Sequence, residues 1–245
     1  MKKLWNSFKI AFAMYSKIPM PQSEWTEENM SYAMCFFPWV GAVTGGMSYL
    51  VVLFADLLKE REISFGSLFF PAVLTVLPVL ISGGIHMDGF LDTQDALSSW
   101  QSKEKRLEIL KDPHAGAFAI LSGCVYFILS LGIYSGVTEE SMRLIGMGFI
   151  LSRTLSGISV LRFPQARKNG LVAVFAERAD KRRTFRVLII YLVLEIVALL
   201  WAGRGAGLCC VIVAGLLFLY YHHMACAKFG GVTGDLAGHF LQICE

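Results

Sequence analysis

Three aspartates, Asp88, Asp92 and Asp95, stand four and three positions apart in the stretch GGIHMDGFLDTQDAL, residues 83–97. On a helix these positions fall within about 60° of one another, on one face. Three carboxylates so placed repel one another, and a nearby bilayer raises the cost of keeping them charged. A divalent cation removes that repulsion and gains hard oxygen ligands. Magnesium is the natural candidate, because it commonly joins one or two carboxylates to substrate phosphates. A solvated acidic face is the plainer alternative, but the intervening Gly89, Phe90, Leu91, Thr93 and Gln94 are uncharged, and no base occupies a pairing position. Asp88, Asp92 and Asp95 are therefore candidate metal ligands and catalytic residues. His86 precedes Asp88 by two positions and would point nearly opposite it on an unbroken helix, although Gly83 and Gly84 should break that regularity. Proton acceptor, phosphate contact and packed histidine stay open for it.

Two further segments carry residues suited to the same chemistry. KDPHAGAFA, residues 111–119, reads as a helix start, with Pro113 following Asp112. Exposed amides at such a start attract phosphate. Gly116 allows close approach, and Lys111 and His114 add positive charge. GGVTGDLAGHF, residues 230–240, sets Thr233 and Asp235 among four glycines. Asp235 is a candidate fourth metal ligand and Thr233 a candidate phosphate contact. Arg153 interrupts an apolar run, where a buried guanidinium needs a partner. A site carboxylate, a substrate phosphate or Glu195 would serve. The basic segment 162–186 holds Arg167, Lys168 and Arg178, of which at least one is expected at the substrate mouth.

The elements that must position these residues are membrane helices. Of 245 residues, 55% are hydrophobic and only 17% charged, with a mean hydropathy of +0.56. An average soluble domain is about 25% charged, so an ordinary cytosolic domain, a disordered chain and a secreted disulfide module are all disfavoured. The six cysteines form no CxxC pair and read as buried thiols. Six apolar stretches are each long enough to cross a core of about 30 Å: 31–55, 63–85, 115–138, 144–163, 187–203 and 205–227. Residues 4–20 read as an N-terminal amphipathic helix with Leu4, Phe8, Phe12 and Tyr15 on one face, either in the interface or packed on the bundle. The fold class is thus all-α, a polytopic integral membrane bundle of about six transmembrane helices in a single domain, 1–245. With Arg153 set aside, 17 of the lysines and arginines fall on the side of the N-terminus and 4 on the other. This bias places both termini, and the acidic motif with them, in the cytoplasm, as for a multi-pass protein of the cell inner membrane.

The motifs also resemble a known family. GGIHMDGFLDTQDAL is similar to the GGxHxDGxxDxxDG signature of the cobalamin synthases, the adenosylcobinamide-GDP ribazoletransferases. FPWVGAVTGG (37–46), LEILKDPHAGAFA (107–119), LSRT (151–154) and GGVTGDLAG (230–238) resemble further segments of that family along the chain. Ala96-Leu97 and Ala119 depart from its glycines, and Leu236-Ala237 from its GDxLG pattern, but none of these touches an acidic residue. The resemblance implies a magnesium-dependent membrane enzyme that joins alpha-ribazole or its 5′-phosphate to adenosylcobinamide-GDP, releasing GMP. No nucleic-acid partner is expected, and homo-oligomerisation stays open. The nearest rival is a CDP-alcohol phosphotransferase, whose motif has an Ala-Arg pair after Asp-Gly and aspartates four apart, unlike Phe90-Leu91 and Asp92–Asp95. A transporter is more remote, since no inverted repeat is visible and the acids gather at one surface.

Overall fold

Away from water, every backbone N–H and C=O must find its partner within its own segment, so the uncharged apolar runs become helices. The computed structural model describes residues 2–167 and 171–245. Helix α1 spans Lys2–Tyr15, followed by the short α2, Glu27–Met30, capped by the Thr26 side chain, and a 3-10 turn, Ala33–Phe36. The first long helix, α3, runs Phe37–Glu60 with Pro38 in its first turn. Next come α4, Phe69–Ser82, α5, Ile85–Ser98, and α6, Lys103–Ile109. Two more long helices follow, α7, Ala117–Tyr134, and α8, Glu139–Arg162, the latter opened by a capping box between Thr138 and Ser141. Then come α9, Leu171–Arg178, the 49-residue α10, Lys181–Phe229, and α11, Gly234–Cys244.

Among the described residues four helices are long and apolar enough to cross a membrane, or five if the bent pair α4–α5 counts as one crossing. Helix α10 supplies a further crossing because it is broken at Arg204, whose φ of 45° and ψ of −114° are not helical. The chain doubles back there so tightly that a Cβ on Gly207 would lie 1.9 Å from the Leu199 carbonyl oxygen. The six expected stretches are thus all helical, with one correction. The second was expected over 63–85, but α4 begins only at Phe69 and ends at Ser82. Its length is roughly 21 Å. Gly83 and Gly84, with φ of 66° and 82°, then turn the chain by 96° into α5. The charge-free run hid this, because left-handed glycines end a helix without changing hydropathy.

Helix α8 is the hub, packed against α3, α10 and α11. Gly45 of α3 meets Gly146 of α8 so closely that a Cβ on Gly45 would stand 2.5 Å from the Gly146 carbonyl oxygen. Small residues permit such contact between membrane helices. Outward faces are apolar, with Ile120, Leu121, Ile128 and Leu129 of α7 and Ile190, Val193 and Leu194 of α10 exposed, as lipid contact requires. The cysteines were expected to be buried, yet Cys124, Cys209 and Cys210 are exposed on these outer faces. Lipid tolerates a thiol there as it would an alkyl group. Helix α1 packs on the bundle through Ile10 and Ala11, in one cluster with Met34, Phe37 and Leu241, while Leu4 remains exposed. Of the two expected settings, packing against protein is the one found, with Phe8, Phe12 and Tyr15 of the expected face turned to the bundle and Leu4 left out.

Candidate active site

The acidic motif and the glycine-rich segment meet because α5 and α11 cross where neither carries a side chain. A Cβ on Gly89 would lie 2.6 Å from the Asp235 carbonyl oxygen, and one on Gly238 would lie 3.0 Å from the His86 carbonyl oxygen. Thr233 caps α11, its hydroxyl accepting from Leu236 N–H at 3.2 Å and donating to Asp235 Oδ2 at 3.4 Å. The preceding backbone is stitched to the start of the basic loop: Val232 N–H donates to the Pro164 carbonyl at 2.7 Å and Ala166 N–H to Val232 at 3.0 Å. That pairing brings Arg167 beside Asp235.

Helix α5 is regular from Ile85 to Ser98, so Asp88, Asp92 and Asp95 share one face, as their spacing predicts. The carboxyl of Asp92 is raised to about 6, by partial burial first and then by the charges of Asp88, Asp235, Asp95 and Asp112. Asp235 is also raised, by burial foremost, while Arg167 and the Thr233 hydroxyl oppose the shift and Asp88 adds to it. These carboxylates sit within electrostatic reach of one another across two helices. Asp112 is exposed and held low by hydrogen bonds from the His114 N–H, at 3.0 Å, and from its ring Nδ1, at 2.8 Å.

Asp95 has a contact that its spacing did not foretell. Its Oδ2 accepts the Gly116 N–H and its Oδ1 the Ala119 N–H at 2.9 Å, so it caps α7 from a different helix. Gly116 is needed for this, because a Cβ there would lie 2.3 Å from Asp95 Oδ2. The expectation of amides at the start of α7 free for phosphate is corrected accordingly, since Asp95 engages two of them. Lys111 and His114 flank that start and are exposed.

His86 is buried, and burial followed by the Arg153 charge lowers its pKa to about 3, so the ring is neutral. A base this weak is a poor proton acceptor, which narrows the readings open from sequence. Its Nε2 has no hydrogen-bond partner. The ring lies between Tyr15 and Phe37, with centroids at 6.3 and 6.0 Å. It lines a cavity of about 170 Å³ that extends to Asp88 and Asp235.

Arg153 is fully buried, and its partner is none of the three expected. It pairs with Glu245, at the end of α11, and donates to the Phe149 carbonyl at 3.0 Å and the Ser152 hydroxyl at 3.1 Å. Glu195 instead accepts the Thr154 hydroxyl at 2.7 Å. Helix α11 runs alongside α8, which delivers the Glu245 carboxylate to a guanidinium that sequence distance alone would not connect to it. Arg178 lies against Glu27 and Met30, away from the carboxylates. Lys168 lies outside the described residues. Sequence reasoning missed the cavity residues Tyr15, Met34 and Phe37, which read as ordinary apolar positions. It also missed His239, stacked on Phe90 and 3.2 Å from Gln94 Nε2.

Among the described residues no three His, Cys, Asp or Glu side chains form a closed metal cage. The donor set nevertheless suits magnesium, which takes one or two carboxylates and completes its shell with water and substrate oxygens. Asp88, Asp92 and Asp235 offer hard oxygens, Asp88 and Asp92 without an ion-pair partner among the described residues, and the neighbouring carboxylates add to the burial that raises Asp92, a repulsion that a cation would relieve.

Fold and site together define a multi-pass helical membrane protein in which carboxylates gather at the crossing of two glycine-bearing helices. The chain belongs to the cobalamin-5-phosphate synthase family, whose model matches residues 7–245. An adenosylcobinamide-GDP ribazoletransferase of Lachnoclostridium phytofermentans is 50% identical over 98% of this chain and 90% of its own. One of Desulfitobacterium hafniense is 33% identical over 100% and 94%, and one of Clostridium perfringens 26% identical over 100% and 96%. No solved structure matches. The protein is therefore a transferase of cobalamin synthesis.

Proposed function

We propose that this enzyme joins alpha-ribazole, or its 5′-phosphate, to adenosylcobinamide-GDP with magnesium, at the cytoplasmic face of the cell membrane. A ribose hydroxyl oxygen forms a bond to the phosphorus nearer cobinamide. The bond from that phosphorus to the bridging oxygen breaks, and GMP leaves with the electron pair. The observation that carries this reading is the α5–α11 crossing at Gly89 and Gly238, which sets Asp88 and Asp92 against Asp235.

Asp88 and Asp235 would hold magnesium, with Asp92 and Asp95 completing the negative field, and the ion would neutralise charge on the pyrophosphate. Arg167, beside Asp235, favours an anionic group at the same place. Lys111, His114 and Thr233 border the site and suit phosphate, while Asp112 orients His114. Asp92, with its raised pKa, is a better proton acceptor than His86 near neutral pH. In a loose phosphoryl-transfer transition state such help is modest, and positioning supplies most of the catalysis. The test is GMP release from adenosylcobinamide-GDP by purified, detergent-solubilised protein supplied with alpha-ribazole. Release that needs the nucleoside and stops on chelation by EDTA is expected. Release without nucleoside, or release indifferent to EDTA, would refute the reading.

A further inference from the structure

The cavity beside the carboxylates has a chemistry of its own. Met14 and Tyr15 of α1, Met34 and Phe37 wall one side, and Val160 of α8 and Ala237 and Leu241 of α11 close the other. Its volume of about 170 Å³ resembles the ~150 Å³ apolar cavities that take up benzene-sized molecules. A flat aromatic group enters such a space; a corrin ring does not. The wall is mostly apolar, with Ser156, Asp88 and Asp235 as its polar part, and the buried His86 ring borders it with its Nε2 unpartnered. A buried imidazole nitrogen left unsatisfied costs free energy that a ligand atom can recover. Guanine, ringed with donors and acceptors, would lose hydrogen bonds on entering. An azole base, with one ring nitrogen on ribose and one bearing an in-plane lone pair, needs a single donor.

Building on the transferase reading above, we propose that this cavity seats the azole base of the nucleoside substrate. The His86 ring donates an N–H to the free ring nitrogen, and the ribose lies at the mouth beside Asp88 and Asp235. Size discrimination among nucleosides then resides in Val160 and Ala237, which carry no part of the chemistry. The two sides of the pocket come from α1 with the 3-10 turn and the start of α3, and from α8 with α11, so base recognition links α1 to α11. In pockets of this kind a single methylene changes specificity by about 10-fold or more.

The experiment compares alpha-ribosides of imidazole and benzimidazole as acceptors at saturating adenosylcobinamide-GDP, with wild type, Ala237→Leu and Val160→Ala. Filling the cavity with Ala237→Leu should raise KM for the benzimidazole riboside at least about tenfold. The imidazole riboside should change far less, and KM for adenosylcobinamide-GDP should hold. Enlarging it with Val160→Ala should move the preference toward bulkier bases and stands as the second arm should Ala237→Leu fail to fold. Equal changes for both ribosides, or a change confined to the corrinoid, would overturn the assignment. Equilibrium binding of benzimidazole riboside, followed by protein fluorescence without corrinoid, separates the two readings. Tight binding that Ala237→Leu abolishes supports the cavity even where GMP release fails, and binding indifferent to both variants removes it.

Discussion

Asp88, Asp92 and Asp95 look equivalent in sequence, and the structure gives each different work. Their common face was legible because helical spacing alone determines it. The Asp95 cap was not, because it depends on where α7 begins relative to α5. Removing charge should therefore act differently at each position. Asp88→Asn should lower GMP release at least about a hundredfold while the protein remains folded in detergent; near-normal turnover at limiting magnesium would remove Asp88 from the site. For Asp92 the folded carboxyl titrates near 6 against an ordinary 3.8. Its ionised form is thus disfavoured in the fold, and stability is lost as pH rises from about 4 to 6. Asp92→Asn should accordingly raise the Tm of magnesium-free protein at pH 8, with a gain that fades below pH 6 and vanishes near pH 4. A gain independent of pH would mean that charge is not its source.

At the scale of elements, the site exists because helices approach where side chains are missing. Glycines in GGIHMDG and GGVTGDLAG suggested tight backbone from sequence, and Asp235 was a candidate ligand beside the α5 aspartates, but the glycine-to-backbone contact of the two helices depends on packing that spacing does not reveal. Gly89→Ala should force α5 from α11 and abolish GMP release, because the added carbon meets backbone at 2.6 Å. Gly132→Ala, with nothing within 4 Å, should leave release unchanged. If Gly89→Ala retains full turnover, the crossing does not set the site. Asp95→Ala removes a helix cap, which typically costs about 1 kcal/mol, so it should lower Tm, whereas Asp88→Ala should not. The shortened α4 escaped sequence reading for a related reason: a bend made by glycines leaves the hydropathy profile intact, and so does the reversal at Arg204.

For the whole molecule, the helical membrane bundle was legible because bilayer thickness is a global constraint, insensitive to packing detail. Partners between distant helices, such as Arg153 with Glu245, were not. Orientation is tested in intact cells with single cysteines in a cysteine-free background. Positions within 60–62 should react with an impermeant maleimide from outside, and those within 103–105 should not; the reverse pattern would invert the proposed topology. The meeting of α5 with α11 has a further consequence for how the protein is made. The acidic helix leaves the ribosome early, and its partner comes only after four more crossings have been threaded into the bilayer. During that interval the aspartates of α5 lack the glycine face of α11 that later packs against their helix. A nascent chain must tolerate this exposed charge through most of its synthesis, which long-range pairing makes slow to resolve. On the proposed reading, the site is complete only once α11 has docked on α5.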